Sequence, residues 1–277
     1  MQRTTGAIFA SPMLAMMLLF FLAPLGVLAA ASVTGPEGEL TLDNYRVFLA
    51  DGFAVGVLVD TIFLGLKTVA AVTLLGVPLA LLYWHSGPRM RTLILVATLL
   101  PMLTSNVVRT FAWIVILGRN GPISQTFVEL GLSDRPFSLM FSETGLVMAL
   151  TQIELPLLVL PLIAVLSAAD RRLVDAAEVL GADRWRSLVT VLLPMMTPAI
   201  LAGWVLVFAS ATTSYVTQSV IGGARLIYMP QFVYREVGIL FQWPMAAAIS
   251  FLLLVSTGIV MLGVTILARH RRLAAYA

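Results

Sequence analysis

Six apolar stretches, 7–31, 59–84, 92–117, 143–168, 192–220 and 243–268, take up most of the chain. Each is longer than the roughly 20 residues that a helix needs to cross a hydrocarbon core of about 30 Å. Charge is nearly absent from them. Only 11% of the 277 residues are charged and 60% are hydrophobic, against about 25% and about 45–50% in soluble domains. A backbone in lipid must satisfy its own hydrogen bonds, so stretches of this length predict an all-α polytopic membrane protein with six transmembrane helices. Pro12, Pro24, Pro78, Pro101, Pro156, Pro161 and Pro198 interrupt them, which a bundle tolerates where neighbours take over the freed carbonyls. Ala29-Ala30-Ala31 resembles a signal-peptide cleavage site, but the apolar stretch before it far exceeds the 7–15 residues of a signal h-region, and a retained helix is expected.

Orientation follows from the arginines. With both termini in the cytoplasm, ten fall on that side (Arg3, Arg89, Arg91, Arg171, Arg172, Arg184, Arg186, Arg269, Arg271 and Arg272) and five on the other (Arg46, Arg119, Arg135, Arg225 and Arg235). The loop 32–57 carries Glu37, Glu39, Asp43 and Asp51 against one arginine, which suits the outer face. Scattering of the arginines at membrane edges argues against nucleic acid as a partner. There is no cysteine, and His85 and His270 each lie beside arginines at the end of an apolar run, so no metal centre is expected. No G-K-[ST] phosphate loop exists, because the only lysine, Lys67, follows Leu66 inside a span. No paired carboxylates or serine–histidine pair suggests catalysis. Any ATP and magnesium would have to be bound by a partner, with no cofactor in this chain.

The segment between the fourth and fifth stretches differs from every other loop. Leu173, Ala176, Ala177 and Leu180 recur at helical spacing and form one apolar stripe. Gly181 suits the left-handed position that ends a helix, and Asp183 can start a second short helix carrying Trp185, Leu188 and Val189. The expected product is a bent amphipathic helix pair. Local physics leaves open whether it docks on another protein or rests on lipid headgroups, which arginines and a tryptophan also favour.

Asp175-Ala176-Ala177, three residues, Gly181, nine residues and Val191-Leu192-Leu193-Pro194 resemble the EAA motif of binding-protein-dependent ABC importer permeases: E-A-A, three residues, G, nine residues, I-x-L-P. Asp175 stands for Glu and Val191 for Ile. Residues 108–123 (Val-Arg-Thr-Phe-Ala-Trp-Ile-Val-Ile-Leu-Gly-Arg-Asn-Gly-Pro-Ile) and 242–250 (Gln-Trp-Pro-Met-Ala-Ala-Ala-Ile-Ser) are similar to the spermidine/putrescine branch, first permease type, in which the second segment usually reads W-P-x-G-A-A-x-S. Here Met245-Ala246 replaces the pairing with glycine.

The resemblance implies a type I importer permease fold, with a first helix and outer loop in 1–58, a five-helix core in 59–268, a coupling loop at 169–191 and a cytoplasmic tail at 269–277. It implies that Asp175, Ala176, Ala177, Gly181, Leu193 and Pro194 form the part that docks on a dimer of ATPase subunits. A second permease subunit, a periplasmic substrate-binding protein and the bilayer of a bacterial inner membrane are the other implied partners. The implied cargo is a polyamine or related organic amine, with aminophosphonate, opine or ferric ion as alternatives. An ATP-independent secondary transporter is the rival class; it would show inverted internal repeats, and no convincing repeat is visible.

Ionisable residues inside spans are costly and are functional candidates by default. Asp60, Lys67, Arg109, Glu143 and Glu154 qualify. Asp60 and Lys67 lie on one helix face about 10 Å apart, too far to touch, and are expected to pair across helices. Asp60 and Glu143 fall near outer span ends, where solvation would suffice. Glu154 falls near mid-span beside Pro156. It is either a structural partner of Arg109 or Lys67 or a site that a cationic substrate passes. Trp113, Trp204, Phe208 and Tyr215 are either packing residues or aromatic faces along a path for ammonium groups.

Overall fold

The computed structural model describes residues 2–35, 38–170 and 172–275. Glu37 and Arg171 of the charge count lie outside the described residues, as do the side chains of Arg3, Arg184, Arg269, His270, Arg271 and Arg272. The chain divides into two compact units, one of residues 1–58 with 229–256 and one of residues 59–228 with 257–277.

In the first unit, α1 (Gln2–Ser32), α2 (Asp43–Ala50), the first residues of α3 (Gly52–His85), α12 (Met229–Gly238) and the first part of α13 (Trp243–Ala275) come together. Polar side chains close the turn after α1: Asn44 Nδ2 donates to the carbonyls of Ser32 and Thr34 at 3.2 and 3.1 Å, and the Tyr45 hydroxyl donates to Ser32 Oγ at 2.7 Å. Phe48 and Phe53 both pack on Phe232, with ring centroids 6.2 and 6.3 Å apart, and the Arg235 guanidinium covers that ring at 4.4 Å.

The second unit is arranged about α7 (Glu143–Ala168), whose Leu146, Leu150, Leu158, Leu162 and Leu166 are fully buried. Its companion is α10 (Leu193–Thr213), and the two approach closely because Gly203 has no side chain: a Cβ there would lie 2.4 Å from Leu158 Cδ1 and 3.2 Å from Leu158 Cα. Small residues at such crossings replace the hydrophobic effect, which lipid does not supply between helices. Trp204 Nε1 donates to Thr73 Oγ1 at 2.8 Å, fixing α3 against α10. Hydroxyls within spans bond back along their own helices, as Thr68 does to Leu64 and Thr151 to Val147.

Among the described residues, four helices are long and apolar enough to cross a membrane: Gly52–His85, Glu143–Ala168, Trp185–Thr213 and Trp243–Ile266. A bent pair, Pro88–Leu103 with Asn106–Glu129, counts as a fifth if it is one span, and Met16–Ser32 is a shorter apolar helix. These elements are compatible with six spans but correct two of the expected ones. The stretch 92–117 is not one helix. After α4 (Pro88–Leu99) comes a 3₁₀ turn, Leu100–Leu103, and the chain then turns by 105° into α5 (Asn106–Leu117). Pro101 lacks the N–H that would continue the ladder, Thr104 is extended, and Ser105 Oγ accepts from the Val107 amide at 3.3 Å to start the new helix. The next helix, α6 (Pro122–Glu129), starts with proline where no amide bond is lost.

The stretch 192–220 both starts earlier and ends earlier than expected. It begins in α9 (Arg184–Ser187) and passes through a π turn, Leu188–Leu192, into α10. The π turn accommodates Pro194, which offers no amide to the regular ladder. The helix stops at Thr213. Ser214 leaves helical geometry, and α11 (Tyr215–Thr217) leads into a second π turn, Gln218–Gly222. Gln218 Nε2 spans the break by donating to the Ala211 carbonyl at 2.8 Å.

Replacing Gly203 by alanine forces a methyl group against Leu158 and should destabilise the protein by about 1–3 kcal/mol. Gly258→Ala, where the added carbon meets nothing within 4 Å, should be neutral or stabilising. Thermal unfolding of both variants in one detergent checks the contrast.

Candidate functional site

Two polar regions of the second unit bear on function. The first is the loop between α7 and α10. Asp170 Oδ1 accepts from the Arg172 amide at 3.0 Å and starts α8 (Arg172–Val179). Val174 turns inward onto the buried cluster of Leu162, Leu166, Leu192 and Met196. The stripe seen in the sequence therefore faces away: Leu173, Ala176 and Leu180 are exposed, Ala177 is half-buried and Asp175 is exposed. Leu180 shows 88% and Trp185 72% of its surface. Leu173, Leu180 and Trp185 thus expose apolar surface on α8 and α9.

The bend in this loop is a Schellman cap. Gly181 has φ +89°, its amide donates to the Glu178 carbonyl at 2.9 Å, and the Ala182 amide donates to the Ala177 carbonyl at 3.0 Å. Nothing lies within 4 Å of a Cβ built at Gly181, so the backbone angle alone requires glycine there. Asp183 Oδ1 then accepts from the Arg186 amide at 2.7 Å and starts α9. Leu188 packs on the core while Trp185 and Val189 do not. Leu193 is half-buried and Pro194 exposed at the start of α10, and α8, the glycine bend and a 29-residue helix, Trp185–Thr213, follow one another in the chain.

The second region is a polar layer inside the spans. Glu154 is 3% exposed and accepts a hydrogen bond from Ser210 Oγ at 2.9 Å. Arg109 of α5 is its electrostatic partner. The Arg109 guanidinium also donates to the Ile153 carbonyl at 3.3 Å and to the Asn106 side chain, and its Nε has no partner among the described residues. Of the two expected partners for Glu154, Arg109 is the one present. Lys67 pairs instead with Glu143 at the start of α7, which corrects the view of Glu143 as merely solvated. Trp113 Nε1 donates to Gln152 at 3.1 Å, and Thr110 and Thr217 share a hydrogen bond of 3.0 Å across α5 and α11.

Asp60 is exposed and is not brought to Glu154. It faces Tyr228, whose phenol is held well above its ordinary range by burial first, then by the Glu143 and Asp60 carboxylates. Tyr215 is half-buried in the short helix after the Ser214 break. Sequence reasoning missed Ser210, Gln152 and Asn106. The first polar residue of the run Ser210, Thr212, Thr213 and Ser214 after an apolar stretch was the available signal for Ser210, and helical spacing of three from Arg109 was the signal for Asn106.

The profile of the binding-protein-dependent transport system inner membrane component family matches residues 73–273. The spermidine/putrescine transport system permease protein PotB of Haemophilus influenzae is 28% identical over 90% of this chain and 87% of its own length. PotB of Escherichia coli is 27% identical over 89% and 91%. The putative 2-aminoethylphosphonate transport system permease protein PhnU of Salmonella typhimurium is 28% identical over 81% and 79%. Among solved structures, a bacterial ABC transporter that imports the acidic polysaccharide alginate superimposes with a TM-score of 0.74 over 98% of this chain and 99% of that one, at 16% identity. An amino acid ABC transporter gives 0.53 over 80% and 98%, at 17% identity.

Glu154→Gln keeps a partner for Ser210 but strips Arg109 of its counter-charge, and should cost about 1–3 kcal/mol of stability. Combining it with Arg109→Met should cost less than the sum of the two single changes, because they remove one shared interaction. Melting curves of the four proteins give the coupling directly; strict additivity would show that the two side chains act independently.

Proposed function

Because the chain belongs to the family of binding-protein-dependent transport system inner membrane components, it is a multi-pass inner-membrane permease subunit of an ATP-driven importer and not an enzyme, and we propose that its cargo is a polyamine or a related small organic amine. The observation that carries the proposal is the match to spermidine/putrescine permeases along about nine tenths of both chains. The weaker match to a 2-aminoethylphosphonate permease names a different compound that also bears a primary amine. The chemical feature common to these cargoes is the ammonium group.

The proposed division of labour assigns Asp175, Ala176, Ala177, Gly181, Leu193 and Pro194 to docking on an ATPase dimer that binds ATP and magnesium. A second permease subunit supplies the other half of the path, and a periplasmic binding protein delivers the cargo. Support for the docking role comes from the outward apolar stripe and from the continuous helix that follows it. Both termini are placed in the cytoplasm, consistent with ten arginines on the side of the α8–α9 loop. Asp60, Trp113 and Tyr215 are proposed along the substrate path. For Glu154, the Ser210 hydrogen bond and the Arg109 charge support a role in holding α5, α7 and α10 together beside that path.

Purified ATPase should be captured by the wild-type chain and by Gly181→Asn, since asparagine tolerates left-handed backbone. Gly181→Val, strained at φ +89° although nothing blocks its side chain, should bind about tenfold more weakly, a change of about 1.4 kcal/mol. Equal capture by all three would place docking elsewhere.

The chain has no cysteine, so sidedness can be read from single replacements. Leu180→Cys should react with an impermeant maleimide only in inverted vesicles, and Asp134→Cys only in right-side-out cells; the reverse pattern would overturn the orientation. For cargo, reconstituted complex with its binding protein should accumulate putrescine or spermidine in an ATP-dependent way. Uptake of 2-aminoethylphosphonate alone would move the assignment to that branch.

A further inference from the structure

Glu154 and Arg109 are each short of what the other offers. Glu154 is 3% exposed and, among the described residues, takes one hydrogen bond, from the neutral donor Ser210 Oγ at 2.9 Å. An ionised carboxylate has room for about four. The Arg109 guanidinium directs its Nη groups at two neutral acceptors, the Ile153 carbonyl at 3.3 Å and the Asn106 side chain. Its Nε is buried and donates to nothing among the described residues. The two charges feel one another, yet they do not close. The ion pairs formed among the described residues are Lys67–Glu143 and Arg235–Glu236.

Reach is not what keeps them apart. The Ile153 carbonyl belongs to the residue immediately before Glu154 on α7, so the guanidinium is already anchored one residue from the carboxylate. Asn106 lies three residues before Arg109 on α5 and holds the other Nη. A guanidinium–carboxylate contact, charged on both sides, is roughly twice as strong as the neutral bonds made in its place. Lys67, the other cation inside a span, is committed to Glu143. The present arrangement is thus held by Ser210, which occupies the carboxylate from a third helix, and by Asn106, which holds the guanidinium. Ser210 belongs to the helix Trp185–Thr213, which begins in α9 of the loop.

We propose that Glu154 exchanges partners: in the arrangement described here Ser210 holds it, and when α10 withdraws Ser210 the Arg109 guanidinium turns from Asn106 onto the carboxylate. The Nε–H that is unmet here and one Nη–H then supply the two parallel donors of a bidentate pair. Ser210 and Asn106 are positioning residues, each holding one charge in the first of the two states. Neither charge is left alone in the interior in either state, which keeps both accessible to one chain. Drive from the ATPase through α10 rests on the importer reading above, whereas the exchange itself rests on contacts within this chain.

The test measures the Glu154–Arg109 contact directly. This chain, carrying ¹³C at its glutamate carboxyls and ¹⁵N in its arginine side chains, is assembled in lipid bilayers with unlabelled ATPase and second permease subunit. Dephasing of each carboxyl by guanidinium nitrogen is read by solid-state NMR. The Glu154 signal is identified by its loss in Glu154→Gln, and Glu236, 2.9 Å from Arg235, is the positive control. Without nucleotide, Glu154 of the wild type should dephase far less than Glu236. Trapped with ATP and vanadate, it should dephase as Glu236 does. Ser210→Ala should do so without nucleotide, since losing a hydrogen bond to a charged group shifts the balance about tenfold or more. Asn106→Ala should act in the same direction and serves if Ser210→Ala does not fold. Contact already closed in the nucleotide-free wild type, or absent from the trapped importer and from both variants, overturns the proposal. Contact in the variants but not in the trapped importer would keep the exchange and count against the importer reading of α10 alone.

Discussion

A backbone amide inside hydrocarbon has no water to turn to, and three departures from regular helix among the described residues are placed where something else accepts or donates. At the 105° turn between α4 and α5, Thr104 bonds back to Pro101 and Ser105 caps the next helix. At the Ser214 break, the Gln218 side chain reaches the Ala211 carbonyl. Ahead of Pro194 the helix widens, and the Leu193 amide finds the Leu188 carbonyl five residues back. Proline and polar residues in these spans are therefore coupled choices. Each interruption comes with the side chain or turn that makes it tolerable.

The same requirement explains how a carboxylate is held inside the second unit. Glu154 could not be buried alone. Ser210 of α10 and Arg109 of α5 answer it, and Asn106 with the Ile153 carbonyl answers Arg109 in turn. Three helices are joined by a few directional contacts in a place where apolar packing has little preference for one partner over another. The α8–α9 loop is built on the opposite logic. Its polar contacts are local caps, at Asp170 and Asp183, and Leu173, Leu180 and Trp185 are presented outward while Val174 and Leu188 anchor it on the core.

Much of this was legible in the amino-acid order. Helical spacing gave α8, and Gly181 proved to be the left-handed cap that its position suggested. Apolar length located α3, α7 and α13. Two features were not legible, for definable reasons. The break at 104–105 is encoded by Pro101 together with Ser105, yet proline alone is tolerated within α7 at Pro156 and Pro161; only the neighbouring helices decide which proline bends the chain. The partner of Glu154 was likewise undetermined, because Lys67 and Arg109 are equivalent as charges and differ only in where α3 and α5 deliver them.

The helix Trp185–Thr213 packs on α7 at Gly203, where an added Cβ would lie 3.2 Å from Leu158 Cα. From that point the arm to Trp185 is 18 residues, about 27 Å, and the arm to Ser210 is 7 residues, about 10 Å. A rigid tilt of the helix about Gly203 that moved Trp185 by about 3 Å would move Ser210 by about 1 Å in the opposite direction. That stroke is small, but it is enough to carry a 2.9 Å hydrogen bond to Glu154 beyond bonding distance. The ratio of the two arms sets how far Trp185 would have to travel before the Glu154–Ser210 contact registers it.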